Sequence, residues 1–175
     1  MSIDTYRFAS VARAPSAAQA VPTLPAFGAL MDWSDKAPWV VCPFEFAEDD
    51  FSFTNVDENA LIVKPPARQV KTEKIRNAVG IESIEITAYE VGAKVYGWAT
   101  NGSEAGGVFT FSNIHTRASL IIEVGKIGIL YFPSVEISFD PPVGGIWKLA
   151  TQRGMIDVFG TDAIPAGYQW HQYQP

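Results

Sequence analysis

Cysteine, histidine and basic charge are all scarce in this chain. Cys42 is the only cysteine in 175 residues, which excludes an intrachain disulfide framework and a cysteine-rich zinc site. His115 and His171 are the only histidines, so metal chemistry and histidine-based catalysis start with few candidates. Lys plus Arg number 13 against 19 Asp plus Glu, a formal charge of -6. Such a chain is poorly suited to gripping nucleic acid by counterion release. No window approaches the roughly 18 apolar residues of a membrane span. Phosphate-loop and Gly-x-Gly-x-x-Gly patterns are missing, so the glycines read as turn markers. What the chain has is apolar content: 47% of residues, with only 18% charged. That is enough to build a core, and the length suits one domain or one domain with an arm.

Three segments differ in texture. Residues 1–43 read as an extended arm, because Pro15, Pro22, Pro25, Pro38 and Pro43 rule out a long helix or a central strand between them. The apolar residues between these prolines need a groove to lie in, and a neighbouring subunit is the simplest supplier. Ala18-Gln19-Ala20 looks like a signal-peptide cleavage site, but Arg13 breaks the apolar stretch that should precede it. The expectation is a soluble chain with no membrane partner. Residues 44–160 form the body, and residues 161–175 an aromatic tail.

The body alternates with a period of two. Ile84, Ile86 and Ala88 fall on one face, opposite Ser83, Glu85 and Thr87. Val95, Gly97 and Ala99 read as the next strand, followed by the turn dipeptide Asn101-Gly102, with Gly106-Gly107 lengthening that connection. Further runs cover Val108–Phe111, Leu120–Val124, Ile129–Phe132, Val135–Phe139, Ile146–Ala150 and Met155–Phe159. Gly144-Gly145 opens the fifth of these, and Pro141-Pro142 closes the fourth. This spacing predicts an all-β fold, a β-sandwich or partial barrel with an extended N-terminal arm and at most one short helix. The helix is expected within 68–77 or 113–118.

Charge is unevenly placed. Glu45, Glu48, Asp49, Asp50, Asp57 and Glu58 form an acidic run with no base among them. Lys64, Arg68, Lys71, Lys74 and Arg76 follow, with Glu73 the one acid between them. The two segments are candidate inter-subunit contacts, with pairing inside one chain or two solvated faces as the alternatives. Trp170 and Tyr173 join the candidate contacts, the alternative being a tail folded onto its own domain.

Catalytic constellations are hard to find. Asp49-Asp50 has no fixed acid–base geometry. Cys42 lies beside Pro43, upstream of acids, where a thiol pKa would rise. His115 has no partner at ligand spacing. Asn101-Gly102-Ser103 is a glycosylation sequon and reads as a loop. The aromatics could build a sugar or single-strand platform, but no basic stripe accompanies them, so packing is the ordinary explanation. The expectation is no enzyme, no metal and no cofactor.

The stretch Leu130-Tyr131-Phe132-Pro133-Ser134-Val135-Glu136-Ile137 leads to Asp140-Pro141-Pro142 and Gly144-Gly145. Then come Lys148-Leu149-Ala150-Thr151-Gln152 and a closing strand. This order resembles the C-terminal half of major tail (tail tube) proteins of tailed bacteriophages. Gln69–Glu73 with Ile81–Glu90 is similar to the first strand pair of that family. The resemblance covers about residues 60–160 and rests on order rather than on any diagnostic residue. It implies a virion protein, assembled in the host cytoplasm, whose rings, hexameric in that family, stack into a tail tube with other phage structural proteins. DNA passes through such a tube without specific binding, and Glu82, Glu85, Glu90 and Glu136 are the candidate bore-lining acids. Capsid decoration, neck or baseplate proteins, and an independent ligand-binding β module, are the alternatives.

Overall fold

The computed structural model describes residues 7–45, 52–55, 61–63, 73–75, 80–100, 102–110 and 117–175. In chain order the strands are β1 (Phe8–Ala14), β2 (Val40–Val41), β3 (Ser52–Asn55), β4 (Leu61–Val63), β5 (Glu73–Ile75) and β6 (Ile81–Ala88). The helix α1 (Ala93–Ala99) follows, then β7 (Ser103–Ala105), β8 (Val108–Thr110), β9 (Ala118–Val124) and β10 (Gly128–Phe139). The chain closes with β11 (Val143–Gly145), β12 (Lys148–Val158) and β13 (Gln169–Gln172). The protein is all-β, with one short helix among the described residues, as its alternation predicts.

The main sheet runs β2-β1-β9-β10-β12-β6-β3 and is antiparallel throughout. Its organiser is β10, whose two halves pair differently along one edge. Gly128–Tyr131 bond β13 and Val135–Phe139 bond β12, while β9 runs along the other edge. The register with β9 shifts between Phe132 and Val135. Pro133 sits in that gap and has no N–H to give a ladder, so an irregularity is expected there.

Ile84, Ile86 and Ile156 from β6 and β12 share one buried cluster with Leu120, Ile122, Phe132 and Val135 from β9 and β10. The sheet is therefore folded over on itself. The Phe8 and Phe53 rings lie 6.2 Å apart edge to face, which brings β1 toward β3 and curls the sheet toward closure. Helix α1 plugs this core through Val95, Trp98 and Ala99, and the Trp98 indole donates to the Val40 carbonyl at 3.1 Å.

Three local expectations change. Residues 93–99 are the helix rather than a strand, and their buried set follows i, i+3, i+4 spacing. The hairpin turn between β7 and β8 is Gly106-Gly107, both with positive φ, the combination that a type I′ turn requires. Asn101 and residues 111–116 lie outside the described residues, as do 68–72, 76 and 77 of the other expected helix window, while 73–75 of it are β5. Finally, Ile146-Trp147 is the turn joining β11 to β12, not part of a strand.

The proline-rich segment behaves differently from a free arm. β1 is a strand of the body's own sheet, and residues 15–39 run as a strap over the outer face of β1, β9 and β10. There Ala12, Ala14, Ile121, Ile129 and Tyr131 are buried with Met31, Trp39 and Tyr173, and Val21, Leu24 and Trp33 pack against them. The chain's own second core covers Val21, Leu24, Met31, Trp33 and Trp39 of the strap, while Phe27 and Leu30 stay exposed. Both faces of β9 are thus buried, which fits its near-continuous apolar run Ala118–Val124. No helix among the described residues is long and apolar enough to cross a membrane.

Candidate functional site

Three features stand out from this frame. The first is the β11–β12 hairpin, which continues past the far end of β10. Ile146 and Trp147 at its apex are 92% and 98% exposed, and Leu149 beside them is 71% exposed. Tight turns ordinarily take Gly, Asn, Asp, Ser or Pro. Neither apex residue has a positive φ, so nothing in the local backbone favours a β-branched residue followed by tryptophan. Burying a large apolar side chain is worth about 1.5–3 kcal/mol, and this tip forgoes that gain twice over. Sequence reading missed it because Ile, Trp and Leu look like strand residues.

The second feature is the outer face of β3, β6, β12 and the second half of β10. Register places Ser52 opposite Glu85, Glu85 opposite Met155, and Met155 opposite Ser138. The adjacent row runs Thr54, Ser83, Asp157, Glu136. Of the four candidate bore acids, Glu85 and Glu136 share this face, joined by Asp157. Glu82 is exposed on the same strand as Glu85, and Glu90 lies beyond that strand and pairs with Lys94 at 2.8 Å. The acids are not alone. Arg153 bonds Glu85 at 2.7 Å and Arg117 bonds Glu136 at 2.9 Å. Arg117 also lies 3.2 Å over the Phe159 ring. The result is a polar, nearly balanced surface of hydroxyls and ion pairs. These pairs are substantially exposed and individually worth little.

The third is a buried polar node beneath the strap. Glu123 on β9 is 1% exposed. Its Oε2 accepts from the Ser10 hydroxyl at 2.6 Å, and its Oε1 accepts from the Met31 backbone N–H at 2.7 Å and the Tyr173 hydroxyl at 3.0 Å. Ser10 in turn accepts from the Trp33 indole at 2.9 Å. Burial, together with the Glu123 charge, pushes the Tyr173 hydroxyl upward from its ordinary pKa, so it stays a donor. A buried carboxylate survives only when its oxygens are satisfied in this way.

The remaining candidates are dispersed. Tyr173 is buried within its own chain, whereas Trp170 is half-exposed with its ring close over Gly128. Glu45 ends the first described stretch, and its carbonyl accepts from Tyr89 N–H at 3.2 Å. Lys74 lies opposite Ile62 in the β4–β5 register. Lys64, Arg68, Lys71, Arg76, Glu48, Asp49 and Asp50 lie outside the described residues, as does His115.

Cys42 points its thiol at the Phe44 carbonyl, 3.3 Å away, and burial pushes its pKa up to about 12. That is the direction expected from the sequence, with burial rather than acidity as the main cause. The His171 ring meets the Gln169 side chain and packs edge to face with Tyr131. Among the described residues no three His, Cys, Asp or Glu side chains gather as a metal set.

No protein-family model matches the chain. No curated protein matches it significantly. Function therefore has to be argued from the three features themselves.

Proposed function

We propose that this chain is a structural virion protein of a tailed bacteriophage, which self-assembles into the stacked rings of a tail tube. The observation that carries the reading is the water-exposed Ile146-Trp147 apex with Leu149 behind it. Tryptophan is among the residues enriched at binding hot spots, and this one is presented at the apex of a two-stranded projection. A second copy of the chain is its partner: a contact between unlike patches of identical chains propagates into rings or filaments. Most of the strap's apolar residues pack on its own chain and its Phe27 and Leu30 are only about half exposed, so the fully exposed hairpin apex carries the argument for assembly. Under the tail-tube resemblance, the polar face of β3, β6, β12 and β10 faces the lumen. Hydroxyls and paired charges there offer DNA little to stick to, since affinity for the phosphate backbone comes from unpaired basic groups.

Sedimentation of the purified chain at rising concentration, with negative-stain microscopy, tests this. The wild type should form rings or tubes. The double variant Ile146→Ser, Trp147→Ser should remain monomeric with an unchanged β circular-dichroism spectrum, because neither side chain contributes to the core. A wild type that stays a single particle at every concentration overturns the reading. A trimer that binds only a capsid lattice would replace it with capsid decoration.

A further inference from the structure

We infer that Glu123 is a shared latch, one buried carboxylate that holds the proline-rich strap and the C-terminal tail down together so that they open and close as a unit. The inference is independent of the tail-tube reading. Its basis is the set of donors that converge on one side chain from far apart in the sequence: Ser10 on β1, the Met31 N–H in the strap and the Tyr173 hydroxyl in the tail. Between Pro15 and Trp39 the strap has no strand of its own, so its position depends on such ties. Other ties bond groups away from the carboxylate, among them the Ser119 hydroxyl to the Ser16 carbonyl at 2.9 Å and the Tyr131 hydroxyl to the Gln19 carbonyl at 2.8 Å. Ala18 N–H reaches the Pro133 carbonyl at 2.7 Å, Gln19 N–H reaches the Ser119 hydroxyl at 3.0 Å, and Gly28 N–H reaches the Lys126 carbonyl at 3.0 Å.

Strap and tail also touch directly, through Phe27 N–H to the Gln174 carbonyl at 2.8 Å. Together they seal Glu123 from water. Lifting either one hydrates the carboxylate, and a hydrated carboxylate no longer rewards the donor on the other segment, since water supplies the same bonds. The two closures therefore favour each other. Opening uncovers the apolar outer face, including Ile121, Ile129 and Tyr131, in one step rather than in halves.

Amide hydrogen exchange on the full chain tests this with Tyr173→Phe, which removes one hydroxyl and keeps the ring packed. The bond it deletes lies in the tail, yet exchange at Met31 in the strap should rise about ten-fold or more, the factor expected for loss of a charge-assisted bond. The Tyr173 amide, bonded to the Ile127 carbonyl, should speed up by a similar factor. Amides in the β6–β12 ladder should keep wild-type rates. Glu123→Gln should loosen both segments further; should that variant fail to fold, Tyr173→Phe decides alone. Exchange that rises in the tail while Met31 stays at the wild-type rate overturns the latch. So does a uniform rise that includes the β6–β12 ladder, which would mean general destabilisation.

Discussion

Cys42 shows how a single side chain's surroundings decide its chemistry. Its thiol is held neutral by burial, with a pKa raised from 9.0 to about 12. A group whose folded pKa is raised contributes stability that is fully present below its unfolded value and is lost as pH rises through the folded one. The wild type should therefore lose stability relative to Cys42→Ala between about pH 9 and pH 12, and denaturant midpoints for the two proteins across that range check it. At neutral pH the native thiol should resist alkylation and react only on unfolding, because the thiolate is the nucleophile. Gly154 carries a different constraint. A Cβ there would stand 2.6 Å from the Phe139 ring, so Gly154→Ala must displace that ring from the core edge. The expected cost is about 1–3 kcal/mol, read from urea denaturation.

The elements most legible in the sequence were those whose neighbours left one face in water. β6 alternates because Ile84, Ile86 and Ala88 are buried while Ser83, Glu85 and Thr87 face outward. Helix α1 was not legible, since Val95, Gly97 and Ala99 alternate as well as any strand and the first turn has no acidic residue and no capping side chain. Packing decides its conformation: Trp98 closes on Phe44 with ring centroids 5.6 Å apart. Trp98→Ala should cost about 3–5 kcal/mol, a loss that thermal or chemical unfolding would register, while the strand signal in circular dichroism persists. Prolines exclude a long helix or a central strand between Pro15 and Pro43, where the strand described is the two-residue edge strand β2, but they do not say where the strap lies. Its surface is made by β9 and β10, about a hundred positions away, and no local pattern carries that information. Glu123 was missed for a related reason. A lone charge in Ile121-Ile122-Glu123-Val124 marks a buried polar site only once its three donors are in place.

Across the whole molecule, the apolar tip and the ion-paired face make opposite demands on the solvent. If assembly runs through Ile146 and Trp147, it should strengthen in sulfate, which favours apolar burial, and respond weakly to moderate sodium chloride. Assembly through the acidic and basic segments at 45–58 and 64–76 would weaken as chloride screens it. Sedimentation in the two salts separates these cases.

The turn Gly125-Lys126-Ile127 also gathers both extremities of the described chain. Gly125 N–H bonds the Arg7 carbonyl at 2.6 Å, and Tyr173 N–H bonds the Ile127 carbonyl at 2.9 Å. That turn feeds the start of β10, whereas the apolar hairpin leaves from its finish. A fluorophore or affinity handle joined beyond residue 173 would consequently emerge at the opposite pole from Trp147, where cargo can be displayed without obstructing the hairpin.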